Sequence, residues 1–348
     1  MRGSLLRFKR SFLTLVLLVS TGSLCVAGDK ETAALQLLNQ SFQHADLWKG
    51  GPVRLNARVS VPLPGKPDVE MEYTLLWAAP DAWRTEWRGG GYSQIMVVKD
   101  GIRHVYANSP IPPLSLLYFE TALGALDGFN AAGPFSPAIK SSKNKVEVSS
   151  KKIDGAEVRC MDNPDIVGKF CFDAGTGRAV RNYRNTYSFS YGDYAQIGQA
   201  DFPQTIRVKN ENPLLRNPTL QAEGKITITR DVPIPSDAFA APPGSRDTAF
   251  PWCAELEKNT VLPALNTKVP PSYPQAARMS HQAGTVSIYL NVTPQGRIDN
   301  ATVFGSVGQE LNDAALAAVR QWTYTPYQRC GVAVDFETFV AVNFSLAP

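Results

Sequence analysis

The residues best suited to chemistry in this sequence are its three histidines and five cysteines. His44, His104 and His281 lie far apart along the chain, and none has carboxylates at the spacing of a metal site. The sequence also contains no Gly-x-Ser-x-Gly, no HExxH and no phosphate-binding loop. We therefore predict a protein that is not an enzyme, with no catalytic residues, no metal and no cofactor.

The N-terminal residues 1–27 have the layout of a secretory signal peptide, with a basic start, an apolar run over residues 12–19 and a cleavage tripeptide ending at Ala27. We predict that the protein is exported and that this segment is removed. An uncleaved inner-membrane anchor is one alternative, although the segment is shorter than the roughly 20 residues that span a bilayer. A lipoprotein at Cys25 is another, with Leu24 where a small residue is expected.

The charge of the exported chain argues against nucleic-acid binding. The formal net charge is +4, and cleavage would remove four basic residues and no acidic ones, which leaves a chain close to neutral. No cluster of basic residues with interleaved aromatics is present.

Four cysteines remain after cleavage, and an even number in an exported chain is typical of disulfides. Cys160 and Cys171 flank a predicted hairpin, so they are natural cross-strand partners. We predict the bridges Cys160–Cys171 and Cys253–Cys330. Buried free thiols and zinc ligands are the alternatives, and zinc is disfavoured because no CxxC pair or neighbouring histidine accompanies these cysteines.

Residues 30–243 consist mainly of short segments in which apolar and polar residues alternate, the period of a half-buried strand. A helical pattern over residues 31–45 precedes them, and a more helical apolar insert at residues 114–126 interrupts them. The predicted strands cover residues 55–61, 71–77, 83–87, 95–98, 103–106, 156–160, 170–172, 179–183, 187–191, 205–209 and 225–229. Sequential antiparallel strands in this number predict a barrel or a strongly curved sheet.

Three short motifs carry a family resemblance in this region: residues 79–86, residues 202–206 and residues 235–243. With the N-terminal helix, they resemble the LolA/LolB-like lipoprotein carriers, which implies an open β-barrel with a helical lid over an apolar cavity. Aromatic side chains would then either line a lipid cavity or simply fill the barrel. These aromatic residues are Tyr73, Trp77, Trp83, Trp87, Tyr92, Tyr106, Tyr118 and Phe119.

Residues 244–261 form a proline-containing linker in our interpretation, and residues 262–348 a small second domain. Alternation predicts strands over residues 285–292, 298–304 and 334–344. Apolar residues at helical spacing predict a helix between the second and third strands, with Asn312 as its N-cap. The second domain is therefore a ββαβ unit with a helix on one face, and the whole chain is of the α+β class.

The order and spacing of several motifs in residues 262–346 resemble the C-terminal domain of the TonB family. They are Tyr273-Pro274, Gly284, Pro294-Gln295-Gly296, Leu311 and Trp322. The resemblance implies a periplasmic module that lends a sheet edge to an outer-membrane transporter. Partner-binding residues would lie along the last strand and the adjoining segment: Tyr273, Pro274, Arg278, Asp335, Glu337, Phe339 and Asn343.

Two features differ from the energy transducers of that family, which carry a histidine in an N-terminal membrane helix and a long proline-rich spacer. Here the apolar N-terminal segment has no histidine, and the linker is short. The sequence therefore favours partner binding over force transmission. The alternative function is a lipid or lipoprotein carrier or sensor that acts through the N-terminal half-barrel.

Overall fold

The structure is a computed structural model of the 348-residue chain. It describes residues 36–37, 40–41, 45–63, 66–109, 112–124, 126, 147–163, 168–184, 187–211, 219–253 and 259–346. The predicted signal peptide and most of the predicted helix at residues 31–45 lie outside these ranges.

A large antiparallel sheet forms the N-terminal part of the described chain. Its strands are β1 (Val53–Leu63), β2 (Lys66–Ala79), β3 (Ala82–Gly89), β4 (Tyr92–Lys99), β5 (Ile102–Ala107), β6 (Glu147–Ile153), β7 (Ala156–Asn163), β8 (Gly168–Asp173), β9 (Ala179–Arg184), β10 (Tyr187–Ile197), β11 (Ala200–Asn210), β12 (Thr219–Arg230) and β13 (Arg246–Ala249). The strand order is β13-β5-β4-β3-β2-β1-β12-β11-β10-β9-β8-β7-β6. In the described residues β13 and β6 do not pair with each other, which confirms the predicted open half-barrel.

Alternation along the strands gives the large sheet one apolar face. Tyr73 of β2 lies opposite Trp87 of β3 in the register, and both are buried. Helix α1 (Leu114–Gly124), which confirms the predicted helical insert, packs on this face against β11 and β12. Phe119 of α1 is fully buried beside Gly224 of β12, where a glycine leaves room for the ring.

The C-terminal part contains a second, three-stranded sheet in the order β16-β15-β20. Its elements are α2 (Gln275–Met279), β15 (Gly284–Val292), β16 (Ile298–Gly305), α3 (Gln309–Val319) and β20 (Phe336–Phe344). Short strands pair around it: β14 (Leu265–Thr267) with β17 (Thr323–Tyr324), and β18 (Tyr327–Arg329) with β19 (Val332–Val334). Helix α3 buries Leu311, Ala315 and Val319 in the core that it shares with β15. The predicted ββαβ unit is confirmed.

Two details of this unit correct the sequence prediction. Helix α3 begins at Gln309 after Gly308, so Asn312 is not the N-cap. Asn312 lies inside the helix, where its Nδ2 donates to the Ser306 Oγ at 2.7 Å and ties the preceding turn to the first helical turn. The strand predicted over residues 334–344 is interrupted at Asp335. Val334 belongs to β19, which pairs with β18, and β20 begins at Phe336.

The segment predicted as a linker contacts both sheets. Its residues 246–249 form β13, which pairs with β5. Beyond it, the Arg329 Nε donates to the Pro251 carbonyl oxygen at 2.8 Å, and Cys253 is bonded to Cys330. Cys160 is bonded to Cys171 at adjoining positions of β7 and β8. The connection between the sheets is therefore held at several points.

None of the helices in the described part of the chain is long and apolar enough to cross a membrane.

We predict that Gly224→Ala destabilises the large sheet by about 1–3 kcal/mol, the usual cost of overpacking a core. An added Cβ would lie 2.1 Å from the Cε2 of Phe119, which is fully buried and cannot swing away. Gly192→Ala on β10 is the matched control, because its Cβ would meet no atom within 4 Å. Urea denaturation measures both; equal midpoints for Gly224→Ala and the parent would contradict this packing.

We also predict that non-reducing peptide mapping of the exported protein recovers Cys160–Cys171 and Cys253–Cys330 peptides. The bridges are separated by 11 and 77 residues along the chain. The loop-entropy relation gives roughly 3 kcal/mol for the short loop and roughly 4.5 kcal/mol for the long one. Replacing Cys253 and Cys330 by serine should therefore lower the unfolding temperature more than replacing Cys160 and Cys171. Recovery of four free thiols would contradict both bridges.

Candidate functional site: the outer edge of β20 and its junction with the large sheet

Strand β20 lies at one edge of the small sheet. It pairs with β15 over nine consecutive positions, from Phe336 opposite Val292 to Phe344 opposite Gly284, without a bulge. In the described residues no other strand pairs with β20, so its outer side forms a regular edge without a neighbouring strand. Such an edge can accept an additional extended segment.

The opposite edge of the small sheet is less regular. Strand β16 pairs with β15 through two register shifts, one near Ser287 and Ile288 and the other near Asn291 and Val292. Bulges of this kind disrupt the ladder and protect an edge from further pairing. Of the two edges, β20 is the one shaped to take another strand.

Alternate residues of β20 face opposite sides of the small sheet. Val342 and Phe344 are buried in the core beneath α3. Glu337, Phe339 and Asn343 lie on the other side. There the Phe339 ring is 5.7 Å from the ring of Tyr118 on α1 and 5.4 Å from that of Tyr289. The large sheet and its helix therefore cover part of this second side.

The predicted partner-binding residues spread along the whole strand and do not form one pocket. Tyr273 contacts Phe344 at the C-terminal end of β20, with ring centroids 5.5 Å apart, and its hydroxyl donates to the Gln282 carbonyl oxygen. Arg278 lies over the Tyr273 ring, and Pro274 precedes α2. Asp335 is near the other end, about nine residues of strand or roughly 30 Å away.

Asp335 requires a correction. Its carboxylate accepts from the Arg103 Nη2 of β5 at 2.6 Å, and both side chains are about 15% exposed or less (15% and 14%). Arg246 of β13 approaches the same carboxylate at 3.9 Å. Asp335 is therefore an anchor between the two sheets and is not available to read a partner. Asn343 is exposed and accepts a hydrogen bond from Thr285 on the neighbouring strand.

The predicted lipid-cavity aromatics divide into two groups. Tyr73, Trp77, Trp83, Trp87, Tyr92, Tyr118 and Phe119 are buried. Tyr106 is 38% exposed and lies opposite Ile95 in the register, on the other face of the sheet, so it does not line a cavity. Arg103 of the same strand, three positions earlier, lies on the opposite face and points toward Asp335.

The buried aromatics mostly fill the half-barrel. Trp87 packs edge-on against Phe119, and the Tyr118 ring stacks on Tyr187 with centroids 3.7 Å apart. A cavity of about 170 Å³ remains, bordered by Trp48, Tyr73, Trp83, Glu120 and other residues. This volume is below the roughly 300–1,000 Å³ of typical ligand pockets.

Glu120 is a functional candidate that the sequence analysis missed. It is the one acidic residue of the apolar helix α1, and its Oε1 accepts from the Trp87 Nε1 at 2.6 Å. Burial raises the pKa of Glu120 to about 7, and the negative charge of Glu337 acts in the same direction. The sequence feature that could have indicated it is a single carboxylate within the apolar residues of this predicted helix.

The C-terminal part of the chain matches a known protein family. Residues 269–346 match the family model described as the Gram-negative bacterial TonB protein C-terminal. The curated "Protein TonB" of Vibrio cholerae serotype O1 is 34% identical over 86 residues, which are 24% of this chain. The match spans about a third (35%) of that relative's length.

Two solved structures resemble the chain in fold. One is the LolA superfamily protein NE2245 from Nitrosomonas europaea, with 14% identity, a TM-score of 0.37, and coverage of 60% of this chain and 97% of that one. The other is a putative outer membrane lipoprotein-sorting protein domain from Vibrio parahaemolyticus, with 9% identity, a TM-score of 0.36, and coverage of 62% and 97%. The TonB resemblance stated from the sequence recurs in the family comparison, in which residues 269–346 match the C-terminal domain of Gram-negative TonB proteins.

Proposed function

We propose that this protein is a non-enzymatic periplasmic protein that binds an extended partner segment along the outer edge of β20. The observation that carries the proposal is the regular nine-residue edge of β20, which no other described strand covers, beside a bulged opposite edge. Main-chain hydrogen bonds to an added strand would supply affinity, and alternate side chains would supply selectivity. The TonB match of this part of the chain supports an outer-membrane transporter segment as the partner.

Selectivity would come from the side chains that border the edge. An added strand places its residues about 5 Å from those of β20, close enough for cross-strand pairs. Phe339 offers an aromatic contact near the middle of the strand, and Asn343 an exposed amide near its end. Tyr273 and Arg278 border the same end through Phe344. The proposed segment therefore carries an apolar residue opposite the middle of β20 and a polar one near its end.

A lipid or lipoprotein carrier is the second candidate function. The cavity of about 170 Å³ beneath α1 is lined mainly by apolar and aromatic side chains, which favours an acyl chain over a polar ligand. It is too small for a long chain as it stands, because Phe119 and Leu116 of α1 occupy the centre of the half-barrel. Lipid uptake would therefore require α1 to move away from β11 and β12.

We predict that one of two neighbouring proline variants, Phe339→Pro and Val340→Pro, abolishes partner binding without unfolding the protein. Hydrogen-bonding direction alternates along an edge strand, so one of the two N–H groups faces β15 and the other faces outward. The variant that keeps the parent's unfolding temperature has lost only the outward donor. Titration with N-terminal peptides of outer-membrane transporters should show at least tenfold weaker binding by that variant.

Phe339→Ala keeps the backbone donor and removes only the ring, so it separates the contribution of the ring from that of the donor. If a folded proline variant binds as tightly as the parent, the edge of β20 is not the docking surface. The small domain must then act through another face.

For the carrier function, we predict that native mass spectrometry of protein purified without detergent shows no bound long-chain lipid. The packed half-barrel leaves too little volume for one. Phe119→Ala would enlarge the cavity, and this variant is expected to take up fatty acid where the parent does not. Stoichiometric lipid on the parent protein would instead establish the carrier function and show that α1 opens.

A further inference from the structure

A second cavity lies between the two sheets, where β4 and β5 of the large sheet face the small one. Its volume is about 300 Å³, within the range of small-molecule sites. Strands β4, β5 and helix α1 form one wall, and β15, β16 and β20 form the other. Glu337 of β20 projects into this cavity from the face of the small sheet, whereas the proposed partner strand would pair along the outer edge of β20.

Carboxylates face this cavity from both walls. Glu120 comes from α1, Glu337 from β20 and Asp299 from β16. In the described part of the chain none of the three is in an ion pair, because Arg103 and Arg246, which also line the cavity, both approach Asp335. Glu120 accepts from the neutral Trp87, and Glu337 accepts from Asn291 at 3.3 Å and from the Tyr289 hydroxyl, so only neutral groups donate to these two carboxylates. With Asp335 included, four carboxylates face two arginines here, so the described residues around the cavity carry more carboxylates than cations.

Tyr92 supplies an independent sign of a missing ligand. Its side chain borders the cavity and is 6% exposed, yet its hydroxyl has no hydrogen-bond partner among the described residues. Burial raises the pKa of Tyr92, and the nearby charges of Glu120 and Glu337 raise it further. A buried polar group without a partner costs free energy, which a ligand at this position would recover.

Two occupants could balance these carboxylates: a proton or a cation. The described residues contain no group of three or more side chains suited to hold a metal ion. Two tyrosine rings, Tyr92 and Tyr289, border the space, and aromatic rings attract organic cations. The chemistry of the lining therefore fits a cationic organic group better than a metal.

We propose that the cavity between the sheets binds an organic cation, a guanidinium or alkylammonium group, between Glu120 and Glu337, with the Tyr92 hydroxyl as a further hydrogen-bonding group. The cation completes the charge balance of the junction and links α1 to β20. The group can belong to a free small molecule or to the side chain of a peptide.

The test is isothermal titration of the exported full-length chain with N-acetyl-arginine amide, propylguanidinium and N-acetyl-citrulline amide. The citrulline compound has nearly the shape of the arginine compound but no charge. We expect both guanidinium compounds to bind at least tenfold more tightly than the citrulline compound. Binding by the arginine compound alone would also support the site and would assign it to a peptide side chain.

Variants locate the binding and separate a binding role from a structural one. Glu120→Gln keeps an acceptor for Trp87 but removes the charge, and should weaken binding at least fivefold. Binding to the parent should strengthen as the pH rises through about 7, since Glu120 must be ionised, and Glu120→Gln should lose this dependence. Glu157→Gln, on the exposed surface of β7, is the matched control and should bind like the parent.

Glu337→Gln serves as a second variant, since Glu337 is exposed and its replacement should not disturb folding. The proposal is overturned if the charged and uncharged compounds bind equally, or if none binds. It is also overturned if Glu120→Gln and Glu337→Gln both bind the arginine compound like the parent. The two carboxylates would then be balanced by a proton.

Discussion

The small sheet is governed by the requirement that backbone hydrogen-bonding groups be paired or hydrated. A three-stranded sheet has two faces and two edges, and three of these four surfaces are already occupied or protected. Helix α3 covers one face, the large sheet and α1 cover part of the other, and bulges interrupt the edge of β16. The regular edge of β20 is what remains, and the proposed docking follows from this constraint.

The position of the small sheet depends on a few contacts with the large one. The Arg103–Asp335 ion pair is largely shielded from water, so loss of either partner would leave an uncompensated charge at the junction. Phe250 adds to this anchor, since the guanidinium groups of Arg103 and Arg329 lie 5.8 and 4.2 Å from its ring. The bond between Cys253 and Cys330 holds the connecting segment to the small sheet. Arg103 of this anchor also lines the cavity that Glu120 and Glu337 share.

Alternation along the sequence was enough to predict most strands of the two sheets, because these strands have one buried and one exposed face. The edge strands β6 and β13 were missed, since they are short and polar and bury little. Tyr106 of β5 was predicted to line the cavity, but it lies on the exposed face of the sheet. Arg103 faces inward because Asp335, 232 residues later, neutralises it, and this turns Tyr106 outward. The alternation of residues along a strand does not show which face is buried when both faces carry apolar and polar side chains.

The docking strand was predicted from the resemblance of residues 262–346 to the TonB family, and its partner-binding role remains a proposal. Amide hydrogen exchange, resolved by residue, tests that role most directly in the free protein and with a transporter peptide added. The account predicts that alternate amides of β20 exchange fast in the free protein, because they face outward, and become protected when the peptide binds. Protection that appears on β16 instead, or outward amides of β20 already protected without peptide, would contradict it.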